Sequence, residues 1–223
     1  MTQMATSAAA ERLGVSQRQV QRLIETGRLP ATRTAGDVWV VDALAVNALA
    51  RTRPERGRPW SPTTAWAALW RLSGLDVDWL DRRTARRLDD RLASIDAEEL
   101  VHAARRRASV RRYRASESFL AELDASVIRT GARATEPSRF ALDRDLSRVD
   151  GYCTSEVAAR LVRDFHLAED PRGNATLRVA AAPSSVMEGR DTMPVAVIAA
   201  DLAESLEVRE RSAGFRVLEE LLR

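Results

Sequence analysis

The sequence predicts an α+β fold: an N-terminal winged helix-turn-helix, a central helical segment and a C-terminal mixed α/β domain. Three observations predict it. Residues 6–25 place two short amphipathic helices across a glycine turn. Residues 61–107 repeat apolar side chains at helical spacing. From about residue 115, short β-branched runs alternate with helical ones. The expected divisions are a module at 1–52, a linker at 53–60, the helical segment at 61–115 and the mixed domain at 116–223. A chain of 223 residues with 45% apolar content is long enough for two or three such pieces and can bury a core.

In the first helix, Ala8, Ala9, Ala10 and Leu13 put small and apolar residues on one side. Gly14 supplies the positive-φ corner that helix ends favour. Ser16 then caps a second helix, with Gln19 three residues on as in a capping box. Val20, Leu23 and Ile24 form its inner face, leaving Gln17, Arg18, Gln21, Arg22 and Glu25 outside. Two helices across a three- to four-residue turn, with Gln and Arg early on the second, is a helix-turn-helix layout. Gly27-Arg28-Leu29-Pro30 ends the helix, and residues 31–34 lead into a turn at Ala35-Gly36-Asp37. Val38-Trp39-Val40-Val41 returns as a β-branched and aromatic strand, and Asp42 can cap a third helix over 43–51.

This stretch resembles the excisionase and MerR-type helix-turn-helix family. The likeness rests on Ala10, Gly14 and Val20, on Gly27-Arg28-Leu29-Pro30, on the two-stranded wing and on the acidic cap, across about fifty residues. A plain helical hairpin packed on the rest of the chain is the alternative. In the DNA-binding reading, Gln17, Arg18, Gln21 and Arg22 enter the major groove, where Arg suits guanine and Gln suits adenine. Arg33 and Thr34 on the wing contact backbone or minor groove, and Ser16 and Arg28 contact phosphates.

Next comes a linker, Arg51-Thr-Arg53-Pro54-Glu-Arg56-Gly57-Arg58-Pro59, interrupted by Pro and Gly and kept solvated by four arginines. It is either an ordinary exposed connection or a segment that follows a phosphate backbone. Ser61-Pro62 caps a helix carrying Ala65, Trp66, Leu69, Trp70 and Leu72, which Gly74 ends. Trp66 and Trp70, one turn apart, read as core anchors rather than a base-stacking surface. Helices are expected over 79–92 and 97–107; their arginines, Arg82-Arg83, Arg86-Arg87 and Arg105-Arg106-Arg107, read mainly as solvated surface. The run from Arg105 to Arg114 holds six arginines in ten residues. It is a second phosphate patch, a seat for an acidic partner, or a plain basic helix end or strand. Repulsion within it calls for counter-charge elsewhere, with the acids of the tail as the natural source.

Beyond 115, residues 116–123 read as helix and 126–131 as a short strand stopped by Gly131. Residues 149–153 read as strand, 155–165 as a helix with Val157, Leu161 and Val162 inward, and 175–180 as strand after a turn at 171–174. Residues 194–200, almost all β-branched or small, read as a buried strand, followed by a helix from 210 to the end.

Composition excludes several classes. Residues 1–150 carry 26 Arg against 20 acids, and residues 151–223 carry 9 against 12. A basic front and an acidic tail fit a nucleic-acid-binding end joined to one with another task. All 35 basic residues are arginine. Without lysine there is no Walker A phosphate loop, no Schiff base and no lysine-assisted nuclease site. Cys153 is the sole cysteine, so no intramolecular disulfide is expected. With only His102 and His166 beside it, no metal site is expected either. Neither a signal peptide nor a membrane span is expected, which places the chain in the cytoplasm.

The middle and tail are similar to actinobacterial antitoxins of the AbiEi type. The resembling segments are Pro59-Trp60-Ser61-Pro62 with Trp66, Thr130-Gly131-Ala132, Val149-Asp-Gly-Tyr152, Gly173-Asn174-Ala-Thr-Leu177-Arg178-Val179 and Ala199-Ala-Asp201-Leu202-Ala203-Glu204-Ser205. The resemblance implies a repressor of its own operon, bound to double-stranded promoter DNA, with a nucleotidyltransferase-like toxin as partner. A lone winged helix reads a short site, so a homodimer or repeated sites are expected. No catalytic residues and no cofactor are expected. Asp201 and Glu204 could hold a divalent cation after a strand, but helix capping by Asp201 and a surface Glu204 are the favoured roles. Two other classes compete with the regulator: a protein-binding module acting through the tail, and an excisionase-like architectural factor.

Overall fold

The computed structural model describes residues 3–13, 15–25, 27, 29–34, 39–51 and 58–223. The Gly14 corner, the Arg28 phosphate contact, the turn at 35–37 with Val38, and linker residues 52–57 lie outside the described residues. The chain divides into two compact units, Met1–Glu55 and Arg56–Arg223.

The first unit comprises β1 (Gln3–Ala5), α1 (Thr6–Leu13), α2 (Gln17–Glu25), β2 (Ala31–Arg33), β3 (Trp39–Asp42) and α3 (Ala43–Arg51). Ala9, Ala10, Leu13, Val20, Leu29, Val41 and Val46 form its core. Helix α2 starts where expected, with the Gln19 amide donating to Ser16 Oγ at 3.3 Å. It ends at Glu25, and Gly27, with a φ of +68°, turns the chain back. The Gly27 amide then donates to the Ile24 carbonyl and the Leu29 amide to that of Leu23, which delivers Leu29 into the core. Asp42 caps α3 through the Leu44 amide at 2.8 Å. The sheet has three strands, in the order β1-β3-β2, all antiparallel. The additional strand, β1, pairs Met4 with Val41 and makes β3 the centre rather than an edge.

The second unit contains α4 (Pro62–Leu72), α5 (Arg82–Leu92), α6 (Ala97–Ala104), β4 (Ala108–Arg114), α7 (Leu120–Ala125), β5 (Ile128–Arg129), α8 (Pro137–Phe140), β6 (Val149–Cys153), α9 (Ser155–Asp164), β7 (Ala168–Glu169), β8 (Ala175–Ala180), α10 (Ser184–Met187), α11 (Val195–Ala203) and α12 (Val208–Leu221). Its sheet runs β5-β6-β8-β4-β7, with β6 and β8 parallel and the other neighbours antiparallel. Helix α9 supplies the length that a parallel connection between β6 and β8 demands.

Strand alternation sorts side chains to two faces. Val149 and Cys153 of β6 join Ala175 and Leu177 of β8 against Leu123 of α7 and Leu161 of α9. Tyr152 points to the other face, into a larger core shared by Trp66, Leu69, Leu100, Val197 and Leu218. The helices of residues 61–104 and the elements after residue 115 therefore pack in one core, with β4 between them in sequence. Trp66 and Trp70 are core residues, edge-on to each other with ring centroids 5.7 Å apart, and Trp66 is edge-on to Tyr152 at 5.2 Å.

Four local expectations are corrected. The run 194–200 is not a strand: Val195–Ala203 is helical, capped by Pro194. Every residue from Ala196 to Ala203 is buried, so the run shows no periodicity to separate helix from strand, and four alanines favour helix. Helix α5 starts at Arg82 rather than 79, because Asp81 caps it through the Arg83 and Thr84 amides. Helix α6 ends at Ala104, and Arg107 leads into β4. The strand expected at 126–131 is limited to Ile128–Arg129.

Helices α11 and α12 approach closely at Gly214, where a Cβ would stand 2.4 Å from the Ala203 nitrogen and 2.5 Å from the Ala199 carbonyl oxygen. Among the described residues no helix is long and apolar enough to cross a membrane.

Candidate nucleic-acid interface

Helix α2 presents the row of polar side chains that its sequence spacing implies. Val20 is fully buried and Leu23 and Ile24 are half-buried, which fixes the helix against α1 and leaves Gln17, Arg18, Gln21 and Arg22 exposed. Residues 17 and 21, and likewise 18 and 22, lie four positions apart, about 6 Å along the axis. The four side chains thus form a two-by-two patch on one face. The turn between α1 and α2 is closed by the Val15 amide on the Ala10 carbonyl at 2.9 Å. Arg12 of α1 donates through Nε to Asn47 Oδ1 of α3 at 3.0 Å, which ties the first helix to the third.

Ser16 is exposed at the start of α2. Its Oγ accepts from the Gln19 amide, which leaves the hydroxyl proton to donate outward, the polarity a phosphate oxygen needs. On the sheet, β2 and β3 pair from Ala31 opposite Val41 to Arg33 opposite Trp39. The Arg33 guanidinium lies 4.7 Å from the Trp39 ring centroid, so the indole face orients it. Thr34 follows, also exposed. The sequence named Arg33 but not its support; a cation directly across a hairpin from an aromatic is the signal that could have shown it. Arg28 lies outside the described residues. The rest of the expected contact set falls into two groups: one runs along α2 from Ser16 to Arg22, and the other sits at the β2 end, at Arg33 and Thr34.

The second unit holds a different concentration of charge, built inward. Asp201 on α11 is buried and receives four hydrogen bonds. Arg107 and Thr130 Oγ1 donate closely, Tyr152 Oη donates at 2.9 Å and Arg178 Nη1 at 3.0 Å. Arg107 also binds both Glu204 oxygens, at 2.9 and 3.0 Å, and donates through Nε to Tyr152 Oη at 3.0 Å. Arg178 holds Asp150 in a two-point pair at 2.6 and 2.9 Å. Burial alone would lower Arg107 and Arg178. The facing carboxylates, Glu204 and Asp201 for the first and Asp150 and Asp201 for the second, outweigh it and hold both guanidiniums above their ordinary range. Burial alone would raise Asp201, but Arg178, Arg107 and the Thr130 hydroxyl hold its carboxyl below the ordinary value. Burial pushes the Tyr152 phenol up.

Both roles considered for Asp201 and Glu204 are thereby corrected. Asp201 lies inside α11 rather than at its cap, and its oxygens are occupied by protein donors rather than open to a cation. Glu204 ends α11 and is mostly buried against Arg107. The basic run beginning at Arg105 does find counter-charge in the tail, through Arg107 to Asp201 and Glu204 and through Arg114 to Asp170 at 2.7 Å. No buried side-chain nitrogen or oxygen of this cluster lacks a hydrogen-bond partner, and through Tyr152 and Arg178 it joins β6 and β8 to α11.

No curated protein and no solved structure matches the chain. One family model does: residues 4–54 match the helix-turn-helix domain. That stretch contains the three helices and both strand pairings of the first unit, and it supports the excisionase-type resemblance of the module. The chain carries an N-terminal helix-turn-helix domain, an assignment that points to DNA binding.

Proposed function

We propose that this protein is a sequence-specific transcriptional regulator that reads duplex DNA with α2 and uses the β2–β3 hairpin as a wing. The observation that carries the reading is the exposed patch of Gln17, Arg18, Gln21 and Arg22, backed by buried Val20 within a helix-turn-helix domain. Arg18 and Arg22 suit guanine and Gln17 and Gln21 suit adenine through paired hydrogen bonds. Ser16, Arg28, Arg33 and Thr34 supply contacts that set register rather than sequence. The short site of one such module calls for a homodimer or repeated half-sites. The second unit, which carries no part of this contact set, is then the partner-binding half. Its sequence resemblance to AbiEi-type antitoxins makes a nucleotidyltransferase-like toxin the proposed partner and the protein's own promoter the proposed operator. The protein performs no catalysis in this reading and acts in the cytoplasm.

Fluorescence anisotropy against the promoter duplex and a scrambled duplex tests it, with wild type beside Gln17→Ala/Arg18→Ala. The expected result is preferential promoter binding that the double variant loses, each base contact being worth about 1–3 kcal/mol of discrimination. Equal binding of both duplexes, unchanged in the double variant, would overturn it and leave the second unit as a protein-binding domain.

A further inference from the structure

Helix α5 carries a charge pattern that its own fold does not use. Arg82 and Arg83 occupy the first turn, where the helix dipole disfavours cations. Arg86 and Arg87 stand four residues on, at the spacing where like charges oppose the helix. All four are exposed. None makes a side-chain hydrogen bond or ion pair with any described residue, in contrast to Arg107, Arg114, Arg133, Arg148 and Arg178 of the same unit. Of the nearby acids, Asp81 caps the helix, Asp89 pairs with Arg71 at 2.7 Å and Glu99 with Arg91 at 3.5 Å, while Asp90, exposed one turn beyond Arg86 and Arg87, forms no ion pair with either. Leu88 is the one buried residue of α5, and it anchors the helix from the opposite side.

We propose that Arg82, Arg83, Arg86 and Arg87 form a second phosphate-binding surface that seats the backbone of duplex DNA. The inference rests on the DNA-binding reading of the N-terminal module and extends it to the second unit. Duplex DNA fits better than an acidic protein because the exposed face offers cations with no large apolar side chain among them. Protein interfaces place apolar and aromatic residues at their centre. A polyanion is bound by neutralising successive charges, and two arginine rows about 6 Å apart along the helix supply that. Such contacts add affinity to every sequence equally and leave the choice of site to α2.

The test titrates the full-length protein with promoter and scrambled duplexes across a series of salt concentrations. Wild type is compared with Arg82→Gln/Arg83→Gln/Arg86→Gln/Arg87→Gln and with a control, Arg160→Gln/Arg209→Gln, which removes exposed charge elsewhere in the unit. Glutamine keeps helix propensity, so the quadruple variant melts at or above the wild-type temperature. Its slope of log K against log salt becomes shallower by about 0.9 for each phosphate no longer neutralised, about 3.6 if all four arginines bind one. Affinity falls alike on both duplexes, and the control keeps the wild-type slope. An unchanged slope in the quadruple variant, or an equal change per charge in the control, overturns the proposal; the first result hands the surface to an acidic protein. A fall in melting temperature also overturns it, by showing that the arginines serve the fold. Loss of promoter preference in Gln17→Ala/Arg18→Ala is scored separately, so failure of α5 and failure of the module are told apart.

Discussion

Replacing Asp201 by Asn removes one charge from the centre of the second unit while keeping its shape. Asp201 accepts from Arg107, Arg178, Tyr152 and Thr130, all of them buried. Removing one partner from a buried ion pair costs about 3–5 kcal/mol, because the other charge stays behind. Here each guanidinium keeps a second carboxylate, Glu204 for Arg107 and Asp150 for Arg178. The amide oxygen can still accept. The cost therefore falls at the lower end, about 3 kcal/mol, or roughly 6–12 °C in the midpoint of a unit this size. Asp201→Leu should cost more, since it also strands the Tyr152 and Thr130 hydroxyls at about 1–3 kcal/mol each. Urea unfolding followed by tryptophan fluorescence is the assay. Four of the five tryptophans, Trp60, Trp66, Trp70 and Trp79, lie in this unit. The pH dependence supplies an independent check. The folded-state pKa of Asp201 lies below its ordinary 3.8, so its stabilisation is fully present above that pH and is lost as pH falls through the lowered value. The gap between wild type and Asp201→Asn should be flat from pH 7 to about 4 and narrow below. A gap under about 0.5 kcal/mol at pH 7, or one that widens in acid, would refute the assignment of Asp201 as the charged centre of the cluster.

Two further outcomes follow from packing. Gly214→Ala places a methyl group against the backbone of α11, where no side-chain rotation can relieve it. It should cost about 1–3 kcal/mol, read as a lowered thermal midpoint; a midpoint equal to wild type would contradict the close helix approach. Cys153 is buried where β6 faces α9, and burial pushes its thiol up to about 11. It should react slowly with a thiol reagent at pH 8 in the native protein and quickly in urea, whereas native reaction at the unfolded rate would show the sheet face to be open.

The first unit was legible because its signals are local. Ser16, Val20, Gly27 and Asp42 each act within a few residues, as cap, core contact, turn and cap, so spacing alone placed α2, α3 and the polar face of Gln17, Arg18, Gln21 and Arg22. The same holds for β6, α9 and β8, where alternation or helical period gave element and extent together. Strand β1 escaped because three residues carry no period; only pairing with β3 makes Gln3–Ala5 a strand. Helix α11 escaped for the opposite reason, since a run buried on all sides has lost its pattern.

By itself, then, the sequence determined the helix-turn-helix, the exposed polar face of its second helix, and the need of the Arg105–Arg114 run for acids from the tail. Only the tertiary structure decided which charges meet. Arg107 and Asp201 are 94 residues apart, and nothing near either one selects the other. Burial made both choices: it forced Arg107, Arg178 and Asp201 to pair, because an isolated charge cannot remain in the core. It placed no such demand on the exposed arginines of α5, which the fold leaves facing outward.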